Sequence, residues 1–188
     1  MANNNLQKSR ILRCSALLYL LIFVFIGVQA KGQHLKKYYT SLLQEKGTLY
    51  FIDPILTFHG KQKDAYLNLD ITYLSSKDSL TVNFTYKDDS IRKLKQISFS
   101  GEGENGNKIF LKSNCSMIYI DAEKKIWKHR YTSDFKFTDF VRLFDTSKYL
   151  EVTVYYDTGK SNLRIKKKDW KKYRVIIQKI FKVIALNS

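Results

Sequence analysis

Two runs in the middle of the chain alternate apolar and polar side chains with a period of two. Leu67, Leu69, Ile71 and Tyr73 alternate with Asn68, Asp70 and Thr72, and Leu80, Val82, Phe84 and Tyr86 alternate with Thr81, Asn83 and Thr85. Successive side chains of a strand point to opposite faces, so these runs predict two half-buried strands, each with one wet face. The polar stretch Ser75 to Asp78 joins them as a hairpin loop. Weaker strand signals follow at Leu94 to Ser100, Lys108 to Lys112, Met117 to Asp121 and Ile126 to Tyr131, and a leading one runs from Thr48 to Phe58 with an interruption at Asp53 and Pro54. Leu150, Val152, Val154 and Tyr156 restore the alternation, and Asp157 to Ser161 (DTGKS) turns the chain into Leu163 and Ile165, a second strong hairpin signal.

Elsewhere the period lengthens to that of a helix. Leu35, Tyr38, Tyr39, Leu42 and Leu43 fall at i, i+3, i+4, i+7 and i+8, which predicts a helix within residues 31–47, ended by Gly47. Phe137, Phe140, Val141 and Phe144 predict a short helix near 138–144, with Thr138 as its cap. At the C-terminus, Trp170, Tyr173, Ile176, Ile177, Ile180, Phe181, Val183 and Ile184 share one broad face at 100° per residue. Lys167, Lys171, Arg174, Gln178 and Lys182 line the other, with Val175 alone out of place. A strand would scatter these lysines over both faces, so the pattern predicts a helix over 169–186, capped by Asp169. The fold class expected is α+β, mainly antiparallel β: a meander or barrel-like sheet over 48–166, packed by the C-terminal amphipathic helix. A many-stranded antiparallel sheet closed by such a helix is similar in outline to PH-like domains. The similarity covers about the last two thirds of the chain, carries no diagnostic residue and assigns no function.

The first thirty residues read differently. Lys8, Arg10 and Arg13 form a positive leader, the fifteen residues Cys14 to Val28 are apolar or small, Val28, Gln29 and Ala30 supply cleavage-type positions, and no acid precedes Glu45. This is the order of regions in a cleavable signal peptide. Fifteen apolar residues also fall short of the roughly 20 that a spanning helix needs. Cleavage after residue 30 leaves a single β-rich domain over 31–188, destined for a periplasmic, cell-envelope or extracellular location. Its one cysteine, Cys115, permits no internal disulfide, so packing must supply stability. The 13 Tyr, 12 Phe and 2 Trp with a single Pro suit a packed β protein and exclude disorder over most of the chain.

Charge sharpens the picture. The chain carries 33 Lys and Arg against 17 Asp and Glu, a net +16. Three of the cations lie in the leader, which leaves +13 after residue 30. Between Lys160 and Lys182 there are ten basic residues and one acid, Asp169. Lys166, Lys167, Lys168, Lys171, Lys172, Arg174, Lys179 and Lys182 are therefore candidate contacts to an anionic surface, lipid headgroups or acidic glycan. The plain alternative is a docking helix whose lysines keep its wet face soluble. Export and the lack of any recognised module argue against nucleic acid.

Chemistry-bearing motifs do not survive inspection. GEGENG at 101–106 matches the dinucleotide fingerprint GxGxxG, but a strand-like run follows where the phosphate-binding helix should start, and Glu102 and Glu104 would repel phosphates. It reads as a hairpin loop. Gly159, Lys160 and Ser161 imitate the end of a P-loop whose first glycine would have to stand where Val154 is. His34, His59 and His129 lack partners at metal-ligand spacing, and His129 is expected to face outward from a strand beside Lys128 and Arg130. Cys115 reads as a buried structural thiol, with a nucleophile paired to His59 or His129 as its rival. Asp88 and Asp89 read as turn acids that bond their own backbone. No catalytic residue, metal-ligand set or cofactor is assigned. The function expected is non-catalytic binding or an envelope-associated structural role, and the alternative is an exported hydrolase whose site assembles only in the fold.

Overall fold

The two period-two runs form the centre of one antiparallel sheet. In the computed structural model, which describes residues 35–61, 65–103 and 105–187, they are β3 (Tyr66–Leu74) and β4 (Ser79–Asp88), paired so that Leu69 faces Phe84 and Ile71 faces Val82. Around them stand β1 (Tyr39–Gln44), β2 (Gly47–His59), β5 (Leu94–Glu102), β6 (Lys108–Asn114), β7 (Ser116–Glu123), β8 (Ile126–Lys136), β9 (Leu150–Tyr156) and β10 (Gly159–Arg164). Among the described residues two helices complete the fold, α1 (Phe137–Thr146) and α2 (Lys167–Leu186). Residues 38–187 form one compact unit. The expected signal peptide, residues 1–30, lies outside the described residues.

The strand order is β6-β5-β9-β10-β2-β3-β4-β8-β7, with β1 paired to β2 off this path. Strands β6 and β7 stand at opposite ends of that order, yet only Cys115 separates them in the chain. The sheet must therefore curl until its ends approach each other. Ser133 Oγ donates to the Asn114 carbonyl at 2.8 Å and the Cys115 N–H to that of Lys95 at 2.8 Å. No ladder joins β6 to β7, and β10 meets β2 through the single pair Arg164–His59, so the curl is not a closed barrel.

Alternate side chains of the strands fill the interior: Leu56, Phe58, Leu67, Val82, Phe84, Phe99, Val152, Val154 and Leu163 are excluded from solvent. Helix α1 adds Phe140, Leu143 and Phe144, and α2 adds Trp170, Ile177, Ile180, Phe181 and Ile184. Phe99 meets Phe140 edge to face at 5.3 Å, and Phe144 lies 5.5 Å from Trp170 and 5.7 Å from Phe181. Each such side chain contributes about 1.5–3 kcal/mol by leaving water, so α2 is held by its apolar face. Where α1 leads into β9, a Cβ on Gly101 would stand 1.9 Å from Ser147 Oγ, so only glycine admits that approach.

Several local expectations are corrected. The helix expected over 31–47 is instead, from Tyr39, strand β1; residues 31–34 lie outside the described residues. Leu42 and Leu43 are 55% and 81% exposed, so a helix here would have had no core to dock against, and an undocked helix this short is marginal in water. A two-residue turn with Gly47 at φ +125° lets the segment pair with β2. Thr138 does not cap α1, whose N-cap is Lys136, and α2 begins two residues before the expected start, with Lys166 as N-cap. Asp169 thus sits in the first turn of α2, where its charge still complements the helix dipole. The interruption at Asp53 and Pro54 is a register shift between Ile52 and Leu56 within one continuous strand.

Candidate functional site

Helix α2 projects a dense cationic surface. Lys166, Lys167, Lys168, Lys171, Lys172, Lys179 and Lys182 are all exposed, and Arg174 is half-buried. None of the eight pairs with a carboxylate among the described residues, whereas Lys87, Arg92, Lys95, Arg130, Lys136, Arg142 and Arg164 elsewhere all do. The sequence-level candidates thus share one helix, but they divide into two rows. Steps of seven, four and seven residues put Lys168, Val175, Lys179 and Leu186 on one outward line. Val175 and Leu186 are exposed at 47% and 85%, so apolar side chains stand among the lysines on this line. Lys167, Lys171, Arg174 and Gln178 run along one flank.

Arg174 differs from its neighbours. Its Nε donates to the Phe144 carbonyl at 2.9 Å and its Nη2 to that of Asp145 at 2.5 Å, while Gln178 Nε2 also donates to Phe144 O at 3.2 Å. The last turn of α1 has no basic residue of its own, so α2 supplies the donors and the positive charge that those unpaired carbonyls lack.

Two grooves meet at this arginine. One, of about 690 Å³, lies between the flank of α2 and the Lys148–Tyr149 segment, with Ile165, Trp170 and Val175 among its walls. Lys148, Lys167, Lys171 and Arg174 line it, and among the described residues no carboxylate does. The other, of about 990 Å³, runs between β6 and α1 and contains Lys108, Arg142, Arg174 and Asp145.

The fold also assembles a polar cluster that sequence reasoning missed. Tyr86, Asp88 and His129 are buried, each at most 1% exposed. Tyr86 donates its hydroxyl proton to Asp88 Oδ2 at 2.8 Å, and Arg92 Nε donates to the same oxygen at 2.5 Å. Asp88 Oδ1 accepts from the Asp89 N–H. The Arg92 guanidinium lies 4.6 Å from the Tyr156 ring centre, and Ser161 Oγ lies 3.4 Å from both the Tyr86 and Tyr156 hydroxyls. Burial, the largest cause, pushes the Tyr86 hydroxyl well above the usual tyrosine range and holds His129 below the ordinary histidine value.

His129 therefore points inward, against the expectation that it faces solvent. Lys128 and Arg130 occupy the alternate positions of β8 and are only half-buried, so the pleat that keeps them on the outer face turns His129 in. Its Nε2 accepts the Arg92 N–H at 3.1 Å and its Nδ1 lies 3.3 Å from the Tyr86 carbonyl, which fixes the neutral Nδ1–H tautomer. With both nitrogens committed to backbone, the ring has no free lone pair with which to act as a base. Asp88 likewise is a buried ion-pair partner and not only a turn acid. The signal for both lay in the alternation of β4 and β8, which places Tyr86, Asp88 and His129 on inward positions.

The remaining motifs settle as turns and packing. GEGENG is the β5–β6 hairpin loop, closed by Gly103 N–H to Asn107 O at 2.8 Å, and DTGKS is the β9–β10 hairpin. Burial pushes the Cys115 thiol up to about 12, which removes the thiolate a nucleophile needs. No group of three His, Cys, Asp or Glu converges as a metal site, and no helix is long and apolar enough to cross a membrane, among the described residues. No protein-family profile, curated protein or solved structure matches this chain.

Proposed function

We propose that this is an exported, non-catalytic binding protein of the cell envelope that docks on an anionic lipid surface through α2. Export rests on the leader, the apolar run and the small residues that end at Ala30. The observation that carries the docking reading is the outward row of α2, where Lys168 and Lys179 stand beside exposed Val175 and Leu186 and no carboxylate neutralises them. Cations interspersed with apolar side chains suit an interface that offers both headgroup charge and acyl carbon, and acidic glycan offers only the first. Each lysine near an anionic bilayer contributes roughly 1 kcal/mol, so four or five in register suffice for reversible attachment.

Co-sedimentation with vesicles tests this. Full-length chain is expected to bind phosphatidylglycerol-containing vesicles at low salt, to detach at moderate salt and to ignore phosphatidylcholine vesicles. Replacing Lys166, Lys168, Lys172 and Lys179 with Gln should abolish the binding. Equal binding to both vesicle types, or none to either, would reject the lipid reading; retention on a polyanionic glycan resin alone would transfer the surface to acidic glycan.

A further inference from the structure

We propose that the groove on the flank of α2 holds one free fatty acid, with the acyl chain over Trp170 and Ile165 and the carboxylate at Lys167, Lys171 and Arg174. The inference extends the reading of α2 as an anion-facing helix, but its anion sits at a different row, Lys167, Lys171 and Arg174, and only Val175 is shared with the outward line. At about 690 Å³ the groove is of the size that takes a small organic ligand. Its composition is split: exposed Tyr149 and Val175 flank a floor of buried Ile165 and Trp170, and Lys167, Lys171 and Arg174, none paired with a carboxylate among the described residues, offer charge. A purely apolar ligand would leave the cations unused, and a small anion would leave the apolar wall wet, so one acyl chain with one anionic head fits both halves.

One detail agrees. Tyr149 is held in place, its hydroxyl donating to Glu102 Oε2 at 3.1 Å, which anchors that wall and directs the nearby carboxylate at a phenol and not at the ligand head.

Trp170 supplies the readout. The chain contains two tryptophans, Trp127 and Trp170, so a full-length W127F variant reports from the groove alone. Dibromostearate should quench it with saturation at one equivalent. Its uncharged methyl ester should bind at least tenfold more weakly, and acetate should not displace the acid. Lys171→Glu and, separately, Val175→Glu should each raise the dissociation constant at least tenfold; both positions are exposed, so the fold survives either change. Equal affinity for acid and ester, or indifference to both substitutions, would overturn the proposal. The Gln variant of Lys166, Lys168, Lys172 and Lys179 should lose vesicles and keep the fatty acid. Quenching without vesicle attachment would reject only the docking reading, and vesicle attachment without quenching would reject only the groove.

Discussion

The molecule keeps two concentrations of charged and polar groups, and they are organised in opposite ways. Around Asp88 every group is answered: one carboxylate oxygen takes Tyr86 and Arg92, the other takes a backbone N–H, and both nitrogens of His129 are used. Along α2, eight cations stand beside one acid, Asp169, and none of them pairs with a carboxylate among the described residues. The first region contains the residue types of an active site, yet its hydrogen bonds are already complete, so its residues have stabilising work and nothing left over for a substrate. The second leaves the charge of its lysines without a carboxylate partner among the described residues, and unanswered charge is what a ligand can use.

The largest effect expected from this contrast comes from removing the acceptor at the centre of the buried cluster. Asp88→Ala strips Arg92 and the Tyr86 hydroxyl of their shared partner inside the fold, and should cost about 3 kcal/mol. Asp88→Asn, which keeps an acceptor oxygen for Tyr86, should cost less. Urea denaturation decides it: two variants as stable as the parent would show that the cluster is not structural and would reopen a catalytic reading for it.

Within α2 itself the comparison can be sharpened, because Arg174 belongs energetically with the buried cluster and not with its lysine neighbours. Its two bonds to α1 carbonyls predict that Arg174→Gln costs about 2 kcal/mol. Replacing Lys167, Lys171 and Lys182 with Gln should change stability by less than about 0.5 kcal/mol. Equal cost for the two variants would mean either that Arg174 does not hold α1 or that the lysines are structural as well.

This division also marks how far the sequence could be read. Strand pairs β3–β4 and β9–β10 were legible because their alternation is local and their turn chemistry explicit. Helix α2 was legible because an apolar stripe of five turns admits no other register. The curl of the sheet was not, since nothing local announces that β6 and β7 stand at opposite ends of the strand order on either side of Cys115. Strand β1 was misread because five apolar residues in nine satisfy a helical period by spacing alone, while the pairing partner that decides the matter lies in β2. The lysines of the candidate site were visible as composition. The role of Arg174 was not, because its partners are carbonyls 29 and 30 residues away. His129 was misjudged for the same kind of reason: the exposure of its charged neighbours was counted, but the inward turn this forces on the residue between them was not.

That buried histidine supplies the smallest and most specific test. Its ordinary value in an unfolded chain is near 6.5, and burial lowers it in the fold. As pH falls through 6.5 the unfolded chain takes up a proton that the folded one refuses, so stability declines from that point and levels off only below the folded value. The slope from one such group cannot exceed about 1.4 kcal/mol per pH unit. The carboxylates Asp89, Glu123 and Asp157 are held below their usual range by hydrogen bonds and neighbouring cations, so their losses fall at more acid pH and leave the window between 6.5 and 5.5 to histidine. Stability followed across that window should fall by up to about 1 kcal/mol more in the parent than in His129→Gln, with vesicle and fatty-acid binding unchanged in the variant. Parallel curves would mean that His129 accepts its proton in the fold, and a ring that can do so is not locked as the Nδ1–H tautomer.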